Sequence, residues 1–224
     1  MYVRMASALM VLLLAGLSGT AVAATAVPAP AVAAPAVAAT GDVEAGRAQA
    51  AACGACHGQD GASPIDPSYP VLAGQGALYL LRQLEMIQSD TRAIPLMAGQ
   101  LNGKSRQDLA NLAAYYASLP GKVGQAQGDD ESLARAERIY RGGILDKGVA
   151  ACIACHGPNG NGNDPAGFPA IGGQPKAYIV TQLTEYREGR RVTDEGHGAM
   201  MRGVAARLTD TEIALLADFL QGLH

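Results

Sequence analysis

The sequence is short of aromatic side chains, with no tryptophan and only two phenylalanines among its 224 residues. Each half of the chain therefore has little material for a core of its own, and small domains in that position rely on metals, disulfides or bound groups. The chain also lacks an excess of positive charge. Its formal net charge is −3, so no nucleic-acid-binding surface is indicated. No segment shows a convincing strand pattern, and the sequence predicts an all-α fold.

Cysteine is scarce too, and all four cysteines lie in two copies of one pentapeptide, Cys53-Gly54-Ala55-Cys56-His57 and Cys152-Ile153-Ala154-Cys155-His156. A Cys-x-x-Cys-His unit is the attachment site for c-type haem. Two thiols on one helical turn reach the two vinyl groups of a porphyrin, and the adjacent imidazole then lies over the iron. A buried porphyrin would also supply the missing apolar bulk.

Three other interpretations of the pentapeptides remain open: a four-cysteine zinc site, two redox dithiols, or two structural disulfides. Zinc-binding pairs usually lie ~15 to 20 residues apart, and neither zinc nor a redox dithiol requires a histidine after each pair. A Cys-x-x-Cys disulfide closes a very small loop and would stabilise the fold little. Haem attachment is therefore the favoured interpretation.

The pentapeptides belong to a longer internal repeat. At an offset of 99 residues the segment 70–84 matches the segment 169–183, and the two share Pro, Gly-Gln, Tyr and Gln-Leu at fixed positions. A repeat of this length predicts two tandem helical domains related by duplication, over 41–120 and 130–224. The Gly- and Pro-containing segment 121–129 is the predicted linker.

The last helix of each predicted domain is marked by a capping box. Ser105 is followed three residues later by Asp108, and Thr209 is followed by Glu212 at the same spacing. The offset between these pairs is 104, so the second domain has five extra residues between its middle and last helices.

A haem with one protein ligand can bind oxygen, peroxide or substrate, whereas a second protein ligand leaves electron transfer as the natural role. The candidates for that ligand are Met86, Met97, Met200, Met201 and His197. Met97 and Met201 each lie eight residues before their capping box, in predicted irregular loops. This agreement favours ligation by both over the alternative that they merely fill gaps in the core. We expect His197 to be a surface residue in a Gly-rich loop, although it is the one alternative to these methionines as a ligand.

The repeat also indicates groups around the haems. A backbone carbonyl at Pro70 or Pro169, each 13 residues past its histidine, could hold the proximal imidazole in orientation. A further polar set could bind haem propionates or simply be solvated: Tyr79, Gln83, Arg92, Tyr178, Gln182, and Arg190 or Arg191.

The amino terminus predicts export. Residues 1–23 combine a basic start, an apolar run and a small-residue cleavage site, which is typical of a secretory signal peptide, with an uncleaved anchor as the alternative. The Ala/Pro-rich segment 24–40 is a predicted leader. Export matters chemically because c-type haem is attached outside the cytoplasm, so we expect a periplasmic protein.

With both pentapeptides, both Pro-to-Leu segments, both methionine loops and the terminal helices in place, the chain resembles the dihaem cytochrome c4 family over about residues 42–223. The resemblance implies two class I cytochrome c domains joined head to head, each with a covalently bound haem c. It also implies that Cys53, Cys56, Cys152 and Cys155 attach the haems. By the same resemblance, His57 and Met97 ligate one iron, and His156 and Met201 ligate the other.

The family's role implies an electron carrier that runs from a cytochrome bc complex to a terminal oxidase, with peripheral membrane association. Two departures stand out: the long leader, which could tether the protein, and Lys104, which occupies the place of Leu208 in the second repeat near Met97. One alternative is a cytochrome subunit of a dehydrogenase such as a sulfide-oxidising flavoprotein. Another is a dihaem peroxidase or thiosulfate-oxidising enzyme, which would need an open haem site.

Overall fold

A computed structural model of the protein describes residues 40–224. The part before the predicted linker 121–129, called the first half below, contains four α-helices: α1 (Val43–Gln49), α2 (Ala51–His57), α3 (Ala77–Gln88) and α4 (Arg106–Ser118). The second half contains five: α5 (Asp130–Gly142), α6 (Ile153–His156), α7 (Lys176–Arg187), α8 (Met200–Ala205) and α9 (Asp210–Gly222). Within these residues the only β-type pairing is two isolated bridges, so the all-α prediction is confirmed.

Both predicted capping boxes are present. The Ser105 hydroxyl accepts the amide hydrogen of Asp108, whose carboxylate accepts the amide hydrogen of Ser105 in return. Thr209 and Glu212 repeat this exchange at the start of α9. Each exchange satisfies two amide groups that the first turn of a helix would leave without partners, so the start of both last helices follows directly from the sequence.

The core of the first half forms where α1 crosses α4 at very short range. A Cβ atom added to Gly46 would lie 2.0 Å from the backbone oxygen of Asn111, so only glycine permits this crossing. The Asn111 side chain in turn accepts the backbone amide of Asp42 at 2.8 Å. The buried residues of the apolar cluster in this half are Ala50, Leu80, Leu81, Leu101, Leu109, Ala110, Leu112, Ala113 and Tyr116.

The second half repeats this arrangement with α5 packed on α9. The buried residues of its main apolar cluster are Ile139, Tyr140, Val149, Ile179, Leu208, Ile213, Leu216, Ala217 and Leu220. Leu208 is therefore a core residue, whereas its counterpart Lys104 is only half-buried. The first half thus lacks one apolar contact at the start of its last helix.

The five extra residues of the second half precede its last helix, as the repeat predicts. They accompany a short helix, α8, that has no counterpart in the first half, where a 3-10 turn at Pro95–Met97 and a loop occupy this region. The prediction of an irregular loop around Met201 was therefore wrong. Met201 is the second residue of α8 and is half-buried.

The middle helices of the two halves each receive a cap from the other half. The Asp164 carboxylate accepts the amide hydrogen of Leu78, in the first turn of α3, at 3.0 Å. The Pro67 carbonyl accepts the amide hydrogen of Tyr178, in the first turn of α7, at 3.1 Å. These bonds satisfy helix-terminal donors that have no intrahelical partner, so they fix the two halves against each other.

The connection between the halves is anchored on α9 by a buried carboxylate. Asp218 accepts the amide hydrogens of Gln127 at 3.1 Å and Gly128 at 2.7 Å, and it pairs with Lys176 at 2.9 Å. Burial works to raise the pKa of Asp218, but the bonds from Lys176 and the two amides outweigh it. The pKa therefore lies below its ordinary value.

We expect Asp218→Asn to lower the free energy of unfolding at pH 7 by about 1–3 kcal/mol, because the bonds to the carboxylate are charge-assisted. A carboxyl group with a lowered folded pKa stabilises the fold above its unfolded pKa of about 4, and this contribution is lost as the pH falls through the folded value. Urea unfolding at pH 7 and pH 3 measures both effects. Asp210→Asn, at an exposed carboxylate, is the control. A deficit as large at pH 3 as at pH 7 would contradict the assignment.

Among residues 40–224, none of the helices combines the length and apolar character needed to cross a membrane. The predicted signal peptide and nearly all of the predicted leader lie outside the described residues, so both stay predictions.

Candidate haem sites

The first Cys-x-x-Cys-His unit lies on α2, and His57 is the last residue of that helix. The imidazole is buried, and its Nδ1 atom lies 2.9 Å from the backbone oxygen of Pro70. A carbonyl can only accept, so Nδ1 carries the proton and Nε2 keeps a free lone pair. This is the tautomer and orientation that a metal-binding histidine requires.

The second unit repeats this geometry. Cys152 precedes α6, and His156 is its last residue, buried like its counterpart. The Nδ1 atom of His156 donates to the backbone oxygen of Pro169, again at 2.9 Å. The predicted carbonyl acceptors are therefore confirmed at both prolines.

Burial also sets the protonation of these groups. It lowers the pKa of His57 and of His156, and the hydrogen bond to each proline carbonyl opposes only part of that shift. Both imidazoles are consequently neutral at pH 7, as metal binding requires. All four cysteines lie among the described residues and none forms a disulfide, so their sulfur atoms are available for thioether bonds. Burial raises the pKa of Cys152 to about 11, which keeps this thiol protonated at pH 7.

The methionine candidates differ in exposure. Met97 ends its 3-10 turn half-buried, while its neighbour Leu96 is 69% exposed. Met201 is half-buried on α8, and its neighbour Met200 is 42% exposed. In both halves the residue that the repeat selects is thus more buried than the one before it. Ligation by Met97 and Met201 stays a prediction.

His197 is not the surface residue that the sequence indicated. It is half-buried and contacts the first half, where its Nδ1 lies 3.0 Å from the Nη1 atom of Arg82. A guanidinium only donates, so Nδ1 of His197 accepts this hydrogen bond. Arg82 also donates to the Gly167 carbonyl at 3.1 Å. The histidine therefore joins the two halves.

A polar network lies between the middle helices, built from the set that the repeat indicated. Arg92 donates to Gln83 at 2.9 Å and reaches across to Tyr178 at 3.2 Å and Gln182 at 3.0 Å. Arg191 donates to Gln182 at 2.6 Å and reaches back to Tyr79 at 2.9 Å and Gln83 at 3.2 Å.

Of the two arginines that the sequence left open, Arg191 belongs to this network. Arg190 is exposed and pairs with Glu188. Arg191 lies 99 residues after Arg92, which is the offset of the repeat. The sequence alone therefore distinguishes Arg191 from Arg190 as the counterpart of Arg92. Each arginine contacts groups of the opposite half, and a search within one repeat could not reveal that.

The network carries positive charge without a matching acid. No carboxylate in residues 40–224 forms an ion pair with Arg92 or Arg191, and Arg191 is only 6% exposed. Burial works to raise the pKa of Tyr178, but the two guanidiniums outweigh it, and the pKa lies below its ordinary value. Among residues 40–224 the buried Nε2 donor of Gln83 finds no hydrogen-bond partner.

These donors fit carboxylate groups, because buried cations are normally paired and buried amides normally bonded. The propionate side chains of haem are carboxylates of this kind. Together with the free thiols and the oriented imidazoles, the residues present therefore fit two haem groups.

Comparison with known proteins agrees with this chemistry. The family description "Cytochrome c" matches residues 43–120 and 146–224. The chain is 50% identical to cytochrome c4 of Stutzerimonas stutzeri over 193 residues, which covers 82% of this chain and 90% of the relative. It is 35% identical to the "thiosulfate dehydrogenase electron acceptor" of Thiomonas intermedia, with 77% and 78% of the two chains covered.

The solved structures include a similar protein, reduced recombinant cytochrome c4 from Pseudomonas stutzeri. Its TM-score is 0.78 at 47% identity, and the match covers 82% of this chain and all of that one. A match of this extent includes both halves and the relation between them.

Proposed function

The chain belongs to the cytochrome c family and to its dihaem cytochrome c4 members, and on this premise we propose that it shuttles single electrons between respiratory complexes in the periplasm. It binds two haem c groups covalently. Cys53 and Cys56 attach the first, and Cys152 and Cys155 attach the second.

When bound, the two haems would supply iron that can accept and release single electrons. His57 and His156 would hold the iron through Nε2, and the proline carbonyls would keep the imidazoles in orientation. Met97 and Met201 would be the second protein ligand of each iron. A neutral thioether favours Fe(II), so it would raise the reduction potential and leave no room for peroxide or oxygen. Gln83, Arg92 and Arg191 would bind the propionates.

The observation that carries this proposal is the equivalence of the two sites. Each has the same Cys-x-x-Cys-His helix end, the same 2.9 Å bond to a proline carbonyl, and a half-buried methionine eight residues before a capping box. A dihaem enzyme needs one haem that differs from the other, with an open coordination position. Two like sites favour a carrier.

The natural donor for such a carrier is a cytochrome bc complex, and the acceptor is a terminal oxidase at the membrane surface. A second candidate is an electron acceptor for a periplasmic dehydrogenase. It is favoured by the similarity to the Thiomonas intermedia protein, which is named for that role.

The first test is an absorption spectrum and an intact mass of protein matured in a host that attaches c-type haem. We expect the mass of two haems, low-spin spectra, a methionine-to-iron charge-transfer band for each haem, and uptake of two electrons. A high-spin haem with peroxide turnover would contradict the proposal. Stopped-flow reduction by a purified bc complex, compared with a thiosulfate dehydrogenase, would then separate the two donors.

A further inference from the structure

Two buried glutamines exchange hydrogen bonds across the boundary between the halves. Gln174 of the second half accepts the amide hydrogen of Val71 at 3.0 Å and donates to the carbonyl of Val71 at 2.9 Å. Gln75 of the first half accepts the amide hydrogen of Ala170 at 2.7 Å and donates to its carbonyl at 2.8 Å. An amide hydrogen only donates and a carbonyl only accepts, so these contacts fix the orientation of both side-chain amides.

The peptide groups that these glutamines hold are the ones that orient the proximal histidines. The amide hydrogen of Val71 and the carbonyl of Pro70 belong to one peptide unit, and that carbonyl accepts from His57. The amide hydrogen of Ala170 and the carbonyl of Pro169 likewise form one unit, which accepts from His156. Each chain of bonds thus begins in one half and ends on the histidine of the other.

We propose that Gln75 and Gln174 are positioning residues that set the electron-donating strength of the proximal histidine in the opposite half. A peptide whose amide hydrogen is bonded becomes a better acceptor at its carbonyl, because successive hydrogen bonds polarise one another. A stronger acceptor makes the imidazole more basic and therefore favours Fe(III). Gln174 acts on the site of His57, and Gln75 acts on the site of His156.

This inference rests on the proposed function, because it requires His57 and His156 to ligate haem iron. It adds that the reduction potential of each haem depends on a residue of the opposite half, which the iron ligands alone do not predict. The reduction potential of each haem depends on whether the other half is seated correctly. A partner that shifts one domain would therefore alter the potential of the other.

The test uses the holoprotein with Gln174→Met and Gln75→Met, which keep the side-chain length and remove the amide. At a fixed solution potential, Gln174→Met should raise the reduced-to-oxidised ratio of the first-half haem by about two- to fivefold, with little change at the second. Gln75→Met should do the opposite. Haem methyl resonances in NMR spectra report each haem separately. The control is Gln49→Met, because Gln49 bonds Asp108 within the first half.

If the substitutions merely loosened the boundary between the halves, the reduced-to-oxidised ratio of both haems would shift alike in every variant. If they acted only locally, the ratio would shift for the haem of the mutated half. Either pattern, or no shift at all, would overturn the proposal. If a variant does not mature, hydrogen exchange of the unmodified holoprotein decides the matter. The amide hydrogens of Val71 and Ala170 should be strongly protected, and fast exchange at either would overturn the relay.

The same spectra separate this inference from the proposed function. If either iron of the unmodified protein lacks a histidine ligand, the function itself is wrong. If both irons are low-spin with histidine bound and the crossed shifts are missing, only the relay is wrong.

Discussion

Met201→Ala will lower the reduction potential of the second haem by on the order of 100 mV or more, within the span of about 0.8 V that haem axial ligands control. In the proposed site the Met201 thioether favours Fe(II), and its loss would leave a position that water or an added ligand can occupy. Redox titration followed in the visible spectrum measures the shift, and loss of one methionine-to-iron band identifies the site. Met97→Ala should give the same result at the first haem.

The chain supplies matched controls for both variants. Met200 is adjacent to Met201 and more exposed, and Met86 lies on α3, away from the aligned position. Met200→Ala and Met86→Ala should leave both potentials within a few tens of mV, since neither removes a ligand. A large drop in Met200→Ala with none in Met201→Ala would show that the repeat alignment selects the wrong residue.

Arg191→Leu will lower the potentials of both haems, by on the order of 50 mV. The variant removes a buried positive charge that contacts both halves and meets no carboxylate in the described part of the chain. A nearby cation disfavours the more positive Fe(III) state, so its removal favours oxidation. The propionates would also lose a charge partner, so the potentials should become more dependent on pH near neutrality.

Arg190→Leu is the matched control, because it removes the same charge one residue away from an exposed position paired with Glu188. Salt and water screen that charge, so we expect little change. Arg191→Lys should be intermediate, since it keeps the charge and loses the forked geometry. Equal shifts in Arg190→Leu and Arg191→Leu would mean that overall charge, rather than the network, governs the potentials.

The features that the sequence predicted well are local or repeated. The capping boxes at Ser105 and Thr209 depend on residues three apart, and the proline carbonyls lie 13 residues from their histidines in both halves. Residues this close in sequence are held near each other by the chain itself, so their spacing predicts their contact. The same spacing in the second copy supports the prediction made for the first. This is why the haem-binding units and the last helices could be predicted from sequence alone.

The features that the sequence did not reveal depend on contacts between the halves. Gln75 and Gln174 appear in the repeat as a matched pair, but their partners lie 95 and 103 residues away in the other copy. His197 looked like a surface residue in a Gly-rich loop, and it is held by Arg82 from 115 residues away. The helix around Met201 was also missed, because the aligned residues around Met97 follow Pro95 and form a 3-10 turn and a loop instead of a helix. Periodicity within one copy carries no information about such pairings.

The mutual capping of α3 and α7 has a consequence for the history of the chain. A freshly duplicated gene encodes two copies that must each be complete, because each descends from a unit that folded alone. Here the first turn of each middle helix depends on an atom from the other copy, Asp164 for Leu78 and Pro67 for Tyr178. Either copy, cut out and expressed by itself, would lose this cap and leave the amide of its middle helix to water. At this point of the fold the two copies are therefore no longer independent units.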